Sequence, residues 1–560
     1  MEKLIIYQVF PRIFTNDNPE CQPWGSLEKN GSGKFNDFTP EVLDGIKELG
    51  VNCIWLTGII EHSTKSDFTK YGIKKDNPNV VKGEAGSPYA IKDYFDVNPY
   101  LAENVEQRML EFENLVKRIH EAGMKVIIDF VPNHTAREYH SDAAPPGIED
   151  FGKNDNIHMN FSPSNNYYYI SNQQFYPSFN LDREGDKPYV EFPSKATGND
   201  CFTAFCSEFD WYETVKLNYG HDYNDNSDHY NPTPDTWFKM LRILKFWADK
   251  GVDGFRCDMV FMVPLPFWHW VIPQVKKYYP DIIFIGEIYD ISQYRPFLDY
   301  GCFDYLYDKV NLYDTLVGIE KSGFSAAQLT GCWQTVDGIG DRMLNFLENH
   351  DEVRFSSPAY AGDAMRVVPS LVVSAMISRG PFLLYYGQEL GEKGLDNEGF
   401  AGDNNRTTIF DYWSVDTLRR WYNRGKCDYE KLTSHEKWLR DFYKKILTLC
   451  NTQKAISEGG FFDLMYVNLQ RSGFDPHSHF AFLRYKDEEI LLIVVNFGWE
   501  NSDVTLVIPD LAFEMTKLKR GDRKVKDLLW GKTHRFNLEP DIPFKISLGA
   551  ADALILPIGE

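Results

Sequence analysis

No stretch of this sequence approaches the roughly eighteen consecutive apolar residues that a membrane-spanning helix needs, so none is expected. Its 9 cysteines show no CxxC spacing, which speaks against a zinc site or a disulfide framework and for buried thiols. Positive charge is in deficit: Lys and Arg total 59 against 81 Asp and Glu, a formal net charge of −22. Nucleic acids and anionic lipids call for a basic face, so both are excluded as partners, and a neutral substrate remains. No GxGxxG opens a helix, and neither does a GxxxxGK followed by Ser or Thr, which disfavours a nucleotide enzyme. Internal repeats are also missing. The N-terminus, MEKLIIYQVFPRIF, lacks the basic start and long apolar core of a signal peptide and reads as a strand ending before Pro11-Arg12. A cytoplasmic chain is the expectation, although a secreted chain trimmed of its leader would read the same.

What is present is an ordinary globular composition, 43% hydrophobic and 25% charged, with a high aromatic share of 15%. Aromatic rings pack cores and also stack on the apolar faces of sugars. At about 150 residues per domain, 560 residues suggest three or four domains, but an α/β barrel uses about 250 as one.

Strand-like and helix-like segments alternate through the first four hundred or so residues. Ile5 to Phe10, 51–58 and 125–131 read as buried strands. Thr39-Pro40 supplies an N-cap and first-turn proline, and Met109, Phe112, Leu115, Val116 and Ile119 fall at helical spacing before Gly123. From Thr135 to about Thr233 the pattern stops in a stretch rich in Asn, Ser, Pro and aromatics, which reads as an insertion. Alternation resumes with a helix at 235–250 and strands at 253–258, 281–288, 303–308, 342–351 and 381–389. A last helix falls around 434–450, and strand patterns without helices follow. Eight strands with one insertion predict a (β/α)8 TIM barrel and a C-terminal antiparallel β domain, read as a sandwich. The expected division is 1–134 and 234–454 for the barrel, 135–233 for the insertion and 455–560 for the terminal domain.

Polar residues at the C-terminal ends of barrel strands face the active site. Strand three ends in Asp129, with Asn133 and His134 beyond. Strand four carries Arg256 and Asp258, strand five Glu287, and strand seven Asn349, His350 and Asp351. Singly, each is explained by a helix cap, a loop hydrogen bond or packing. Together they gather acids that are too costly to bury for stability alone.

The segments DFVPNH (129–134), GFRCD (254–258), IGEI (285–288) and FLENHD (346–351) resemble, in order, the four sequence regions of the α-amylase family of glycoside hydrolases, family 13. GVNCIWLTG (50–58), SPYAIKDYFDVNP (87–99) and YYGQE (385–389) resemble it too, and the insertion falls where that family carries its domain B. The resemblance implies a retaining glycosidase acting on α-1,4-glucans or maltooligosaccharides through a covalent glycosyl-enzyme, with no required cofactor. It makes Asp258 the nucleophile, Glu287 the general acid/base and Asp351 the third acid. Arg256 would orient Asp258, while His134 and His350 would bind sugar hydroxyls. Tyr89 would be the aromatic platform, and Asp129 a support of the cluster within the substrate-binding set. Arg406, in the stretch 402–408, resembles the Arg-Thr loop of oligosaccharide-acting members. Asn133 matches a residue that often binds calcium there, against the plainer reading of an Asn-capped loop.

The chain also departs from the family. Where many α-amylases carry Lys-His after the nucleophile, it has MVFMVP (259–264), which puts the leaving-group subsites and the calcium site in question. Two alternatives stay open: a transglycosylase using the same intermediate, and a sugar-binding barrel without catalysis. The aromatics of 135–233 are expected along the bound sugar chain.

Overall fold

Eight short, near-continuously apolar segments pair edge to edge: β1 (Ile5–Val9), β2 (Cys53–Leu56), β3 (Lys125–Phe130), β4 (Gly254–Cys257), β5 (Ile283–Gly286), β6 (Tyr305–Tyr307), β7 (Met343–Phe346) and β8 (Phe382–Tyr385). They close a barrel in the order β1-β8-β7-β6-β5-β4-β3-β2, every neighbour parallel. Strands buried on both faces have no solvent side, which is why IIYQV and CIWL show little alternation. This computed structural model describes residues 3–180 and 187–559, so 181–186 of the expected insertion lie outside the described residues.

The helices form where the local signals placed them. Helix α1 (Pro40–Lys47) starts with Pro40, and the Thr39 hydroxyl accepts from the Val42 N–H at 3.4 Å. Helix α2 (Arg108–Glu121) lays Phe112, Leu115, Val116 and Ile119 against the barrel. Helices α3 (Asp235–Asp249) and α4 (Leu265–Lys276) flank β4. Helix α5 (Ser434–Thr452) is entered through a capping box of Thr433 and Glu436. Among the described residues no helix is long and apolar enough to cross a membrane.

Between His134 and Asp235 the described chain forms only two- and three-residue strands. It leaves and returns on one antiparallel pair, His134–Ala136 with Thr214–Lys216, in which His134 faces Lys216. Its rings pack largely on one another: Tyr168 touches Phe161, Phe202 and Tyr223. After α5, a four-stranded antiparallel sheet runs Gly460–Asp463, His479–Lys486, Glu489–Asn496 and Asp552–Pro557, with two further two-stranded sheets beside it.

Candidate active site

Register brings the key acids together. Cys257 of β4 pairs with Gly286 of β5, so Asp258 and Glu287, one residue later on each, leave the barrel rim side by side. Arg256 lies two residues before Asp258 and therefore projects to the same, interior side. It is fully buried, and its fork spans the cluster. One terminal nitrogen lies 2.8 Å from Asp258 Oδ1 and 3.4 Å from Asp129 Oδ1, and the other 2.8 Å from Glu287 Oε1. Its Nε donates to the Tyr307 hydroxyl at 3.1 Å. A planar guanidinium can hold several carboxylates in fixed directions, which a lysine point charge cannot. Orientation of Asp258 was expected of Arg256; its grip on Glu287 was not visible without the register.

Glu287 is held on its remaining sides by the Met259 N–H, which donates to Oε2 at 2.9 Å, and by the Tyr289 hydroxyl, which donates to Oε1. Met259 adopts a left-handed backbone, φ 45°, to present that N–H. Burial, and then the Glu287 carboxylate, push the Asp258 carboxyl well above its ordinary range, against the pull of Arg256. Arg256 and Glu287 thus act on Asp258 with opposite sign, and the two carboxylates share one cationic partner.

Asp351 sits differently. Burial would raise it, but the adjoining His350 ring, Arg256 and Arg406 hold it at about 2. His350 Nε2 is 3.1 Å from Asp351 Oδ2 and also meets the Tyr89 hydroxyl, and the two rings stack with centroids 5.3 Å apart. The Gln8 amide lies 2.8 Å from His350 Nδ1 and anchors the ring beside Asp351. Burial, reinforced by the charge of Lys216, lowers His134 to about 3, so it stands neutral beside the acids.

These residues surround a cavity of 280 Å³ whose lining includes Tyr89, His134, Asp258, Glu287, Tyr289 and Asp351. Trp211, Glu213 and Thr214 from the insertion and Phe410 complete the wall, with Lys82 paired to Glu213 at 2.9 Å. Asp129 is outside the cavity lining: one oxygen accepts from the Trp55 indole at 3.0 Å and the other faces Arg256 at 3.4 Å. Arg406 is exposed on the loop after β8 and acts on Asp351 through its charge. Of the insertion's aromatic rings Trp211 lines the cavity among the described residues, while Tyr176, Phe205 and Phe209 are exposed on the surface.

Gln8, Trp211 and Tyr289 were not singled out in the sequence. Gln8 had a signal, a lone polar side chain in the buried strand IIYQV. Tyr289 had another, its alternation with Glu287. Trp211 had none, since it lies in irregular chain. A larger cavity of 480 Å³, lined by Asp308, Trp333, Asp341, Glu458, Phe461 and Arg484, opens between the barrel and the terminal sheet, away from the strand ends that carry Asp258 and Glu287.

Two places in the chain gather oxygens of the kind a metal takes. Asn133 donates its amide N–H to the Gly198 carbonyl at 2.7 Å, and its Oδ1 accepts from Lys216 Nζ at 2.5 Å. The oxygen that calcium would need is filled, so the calcium role implied for Asn133 does not fit. Among the described residues, Glu61, Asp93 and Asp96 place oxygens within 4.8 Å of one another. Asp93, however, already accepts from Phe95, Ser141, Asp142 and Ala143, and Asp96 from Val97 and Arg108. Glu61 has Lys92 Nζ 3.4 Å from Oε1, and the same ammonium lies 3.4 Å from Asp76, so a cationic side chain already stands beside this cluster.

Comparison with known proteins agrees with this architecture. Solved structures with the same fold include a maltogenic alpha-amylase from Thermotoga neapolitana, 20% identical with a TM-score of 0.63 over 100% of this chain and 99% of that one. Another is an alpha-amylase from Geobacillus thermoleovorans, 20% identical with a TM-score of 0.63 over 99% and 98%. Among curated proteins, Alpha-amylase 3 of Dictyoglomus thermophilum is 24% identical over 510 residues, 87% of this chain and 84% of its own length. A Cyclomaltodextrinase from a Bacillus species is 24% identical over 88% of this chain and 72% of its own. With the family description "Alpha amylase, catalytic domain" matching residues 8–458, most of its length, the chain belongs to the alpha-amylase family of glycoside hydrolases.

Proposed function

We propose that this enzyme hydrolyses α-1,4-glucosidic bonds of maltooligosaccharides with retention, using Asp258 as nucleophile and Glu287 as acid and base. The observation that carries the reading is the single Arg256 fork that holds both carboxylates at 2.8 Å at the rim of the cavity. In the first step Glu287 gives its proton to the glycosidic oxygen while an Asp258 oxygen bonds to the anomeric carbon, and the glycosidic C–O bond breaks. In the second, the Glu287 carboxylate takes a proton from water, the water oxygen bonds to the anomeric carbon, and the bond to Asp258 breaks. Asp351, ionised beside His350, favours the positive charge that develops on the sugar ring. Tyr89 and the neutral His134 face the same ring from the cavity wall.

The small cavity, closed by Trp211, Phe410 and the Lys82–Glu213 pair, suits short chains better than a polymer threaded through a cleft. Incubation with maltooligosaccharides and water checks this: the first sugar released carries the α configuration, and products shorten with time. Longer chains as the main products would make the enzyme a transglycosylase. Glu287→Gln lowers kcat by about 10²–10⁴-fold, and Asp258→Asn by at least as much. If either variant kept near-wild-type turnover, the roles assigned here would be wrong.

A further inference from the structure

Lys216 ends the strand Thr214–Lys216, by which the insertion returns to the barrel, and its side chain is 2% exposed. Three oxygens from three separate segments meet its ammonium. Asn133 Oδ1 lies at 2.5 Å, Asp200 Oδ1 at 2.7 Å and the Met262 carbonyl at 3.2 Å. Asn133 follows β3, Asp200 belongs to the insertion, and Met262 is in the segment just after Asp258.

Two of these segments are held locally. The bond from Asn133 to the Gly198 carbonyl fixes its amide, which leaves Oδ1 facing Nζ. Asp200 holds φ at 63°, a left-handed backbone that an L residue keeps only where its surroundings over-determine it. An amide oxygen, a carboxylate and a main-chain carbonyl form the hard donor set that calcium takes. Here the positive charge at their centre is carried on the chain itself. An ammonium has three N–H donors and no lone pair; here Asn133 and Met262 accept hydrogen bonds and Asp200 adds an ion pair at 2.7 Å, which leaves no room for a second cation.

We propose that the Lys216 ammonium is a built-in structural cation, seated where a divalent metal would otherwise join the insertion to the barrel, so that the wall of the active site holds without metal. The inference rests on this junction and not on the reaction proposed above, so its failure would leave that reaction standing.

Thermal unfolding of the full chain tests it, read with excess EDTA and with millimolar CaCl2. The wild-type midpoint stays within about 1 °C in both, and turnover is unchanged. Lys216→Met keeps the bulk and removes the charge; its midpoint falls by about 3–6 °C, and calcium does not restore it. Lys216→Ala falls similarly but regains part of the loss in CaCl2, because the three oxygens then face a space a cation can enter. A wild-type midpoint that drops in EDTA and returns with calcium would overturn the proposal, whether or not the variants fold. A Lys216→Ala protein indifferent to calcium would overturn the reading of these oxygens as a cation seat.

Discussion

Arg256 concentrates the electrostatics of the site in one side chain. It is fully buried and faces Asp129, Asp258 and Glu287 together, so its charge is shared among three acids, and burial with the Glu287 charge still raises Asp258. The neutral partner of this arrangement is His134. Its value in the folded protein, about 3, lies below the ordinary 6.5, so the unfolded chain takes up a proton first as pH falls. The stability it contributes is therefore complete above about pH 6.5 and is lost as pH drops toward 3. Comparing wild type with His134→Gln isolates this: the difference in unfolding free energy, from denaturant titrations at several pH values, narrows between about pH 7 and 4. A constant difference would show that the ring is not buried neutral.

At the scale of the elements, the barrel strands are three to six residues long, and the residues of the site stand at or just past their ends. Small displacements of a strand therefore move a reacting group directly. Gly286 closes β5 immediately before Glu287, and a Cβ there would meet Leu306 at 2.7 Å and Phe303 at 3.2 Å. Gly286→Ala should push β5 away from β6 and carry Glu287 with it. A shift near 1 Å costs catalysis on the order of 10²-fold, so we expect kcat to fall by about that factor while binding of a maltooligosaccharide changes little. Equal losses in both would point to general loosening instead. Alternation and strand ends explain why Asp258, Glu287 and their order were legible beforehand. The support expected of Asp129 was legible too, but its bond to Trp55 of the neighbouring strand was not.

Across the whole molecule, the terminal sheet is fastened to the barrel by Arg484. It is fully buried and donates to the carbonyls of Ile377, Ala455, Ile456 and Gly459 at 2.8–3.2 Å. Ile377 belongs to the barrel, just before β8, and the other three lead into the sheet. Arg484→Leu leaves those acceptors buried without donors and should lower the unfolding free energy by about 3–5 kcal/mol. Turnover per folded molecule should hold, since the site is at the other end of the strands. Denaturant unfolding paired with active-site titration checks both halves of the expectation.

The eight strands, their helices, the place of the insertion and the acids at the strand ends were all determined by the sequence itself, because periodicity, capping and strand-end position are local properties. The tertiary structure alone decided what those residues do to one another. Arg256 bridges two acids only once β4 and β5 are in register. Gln8 reaches His350 across 342 positions and Lys216 reaches Asn133 across 83, distances over which a sequence pattern carries no geometry. The same holds for the aromatic excess: most rings of the insertion cover one another, and chain closure chose Trp211 to face the cavity.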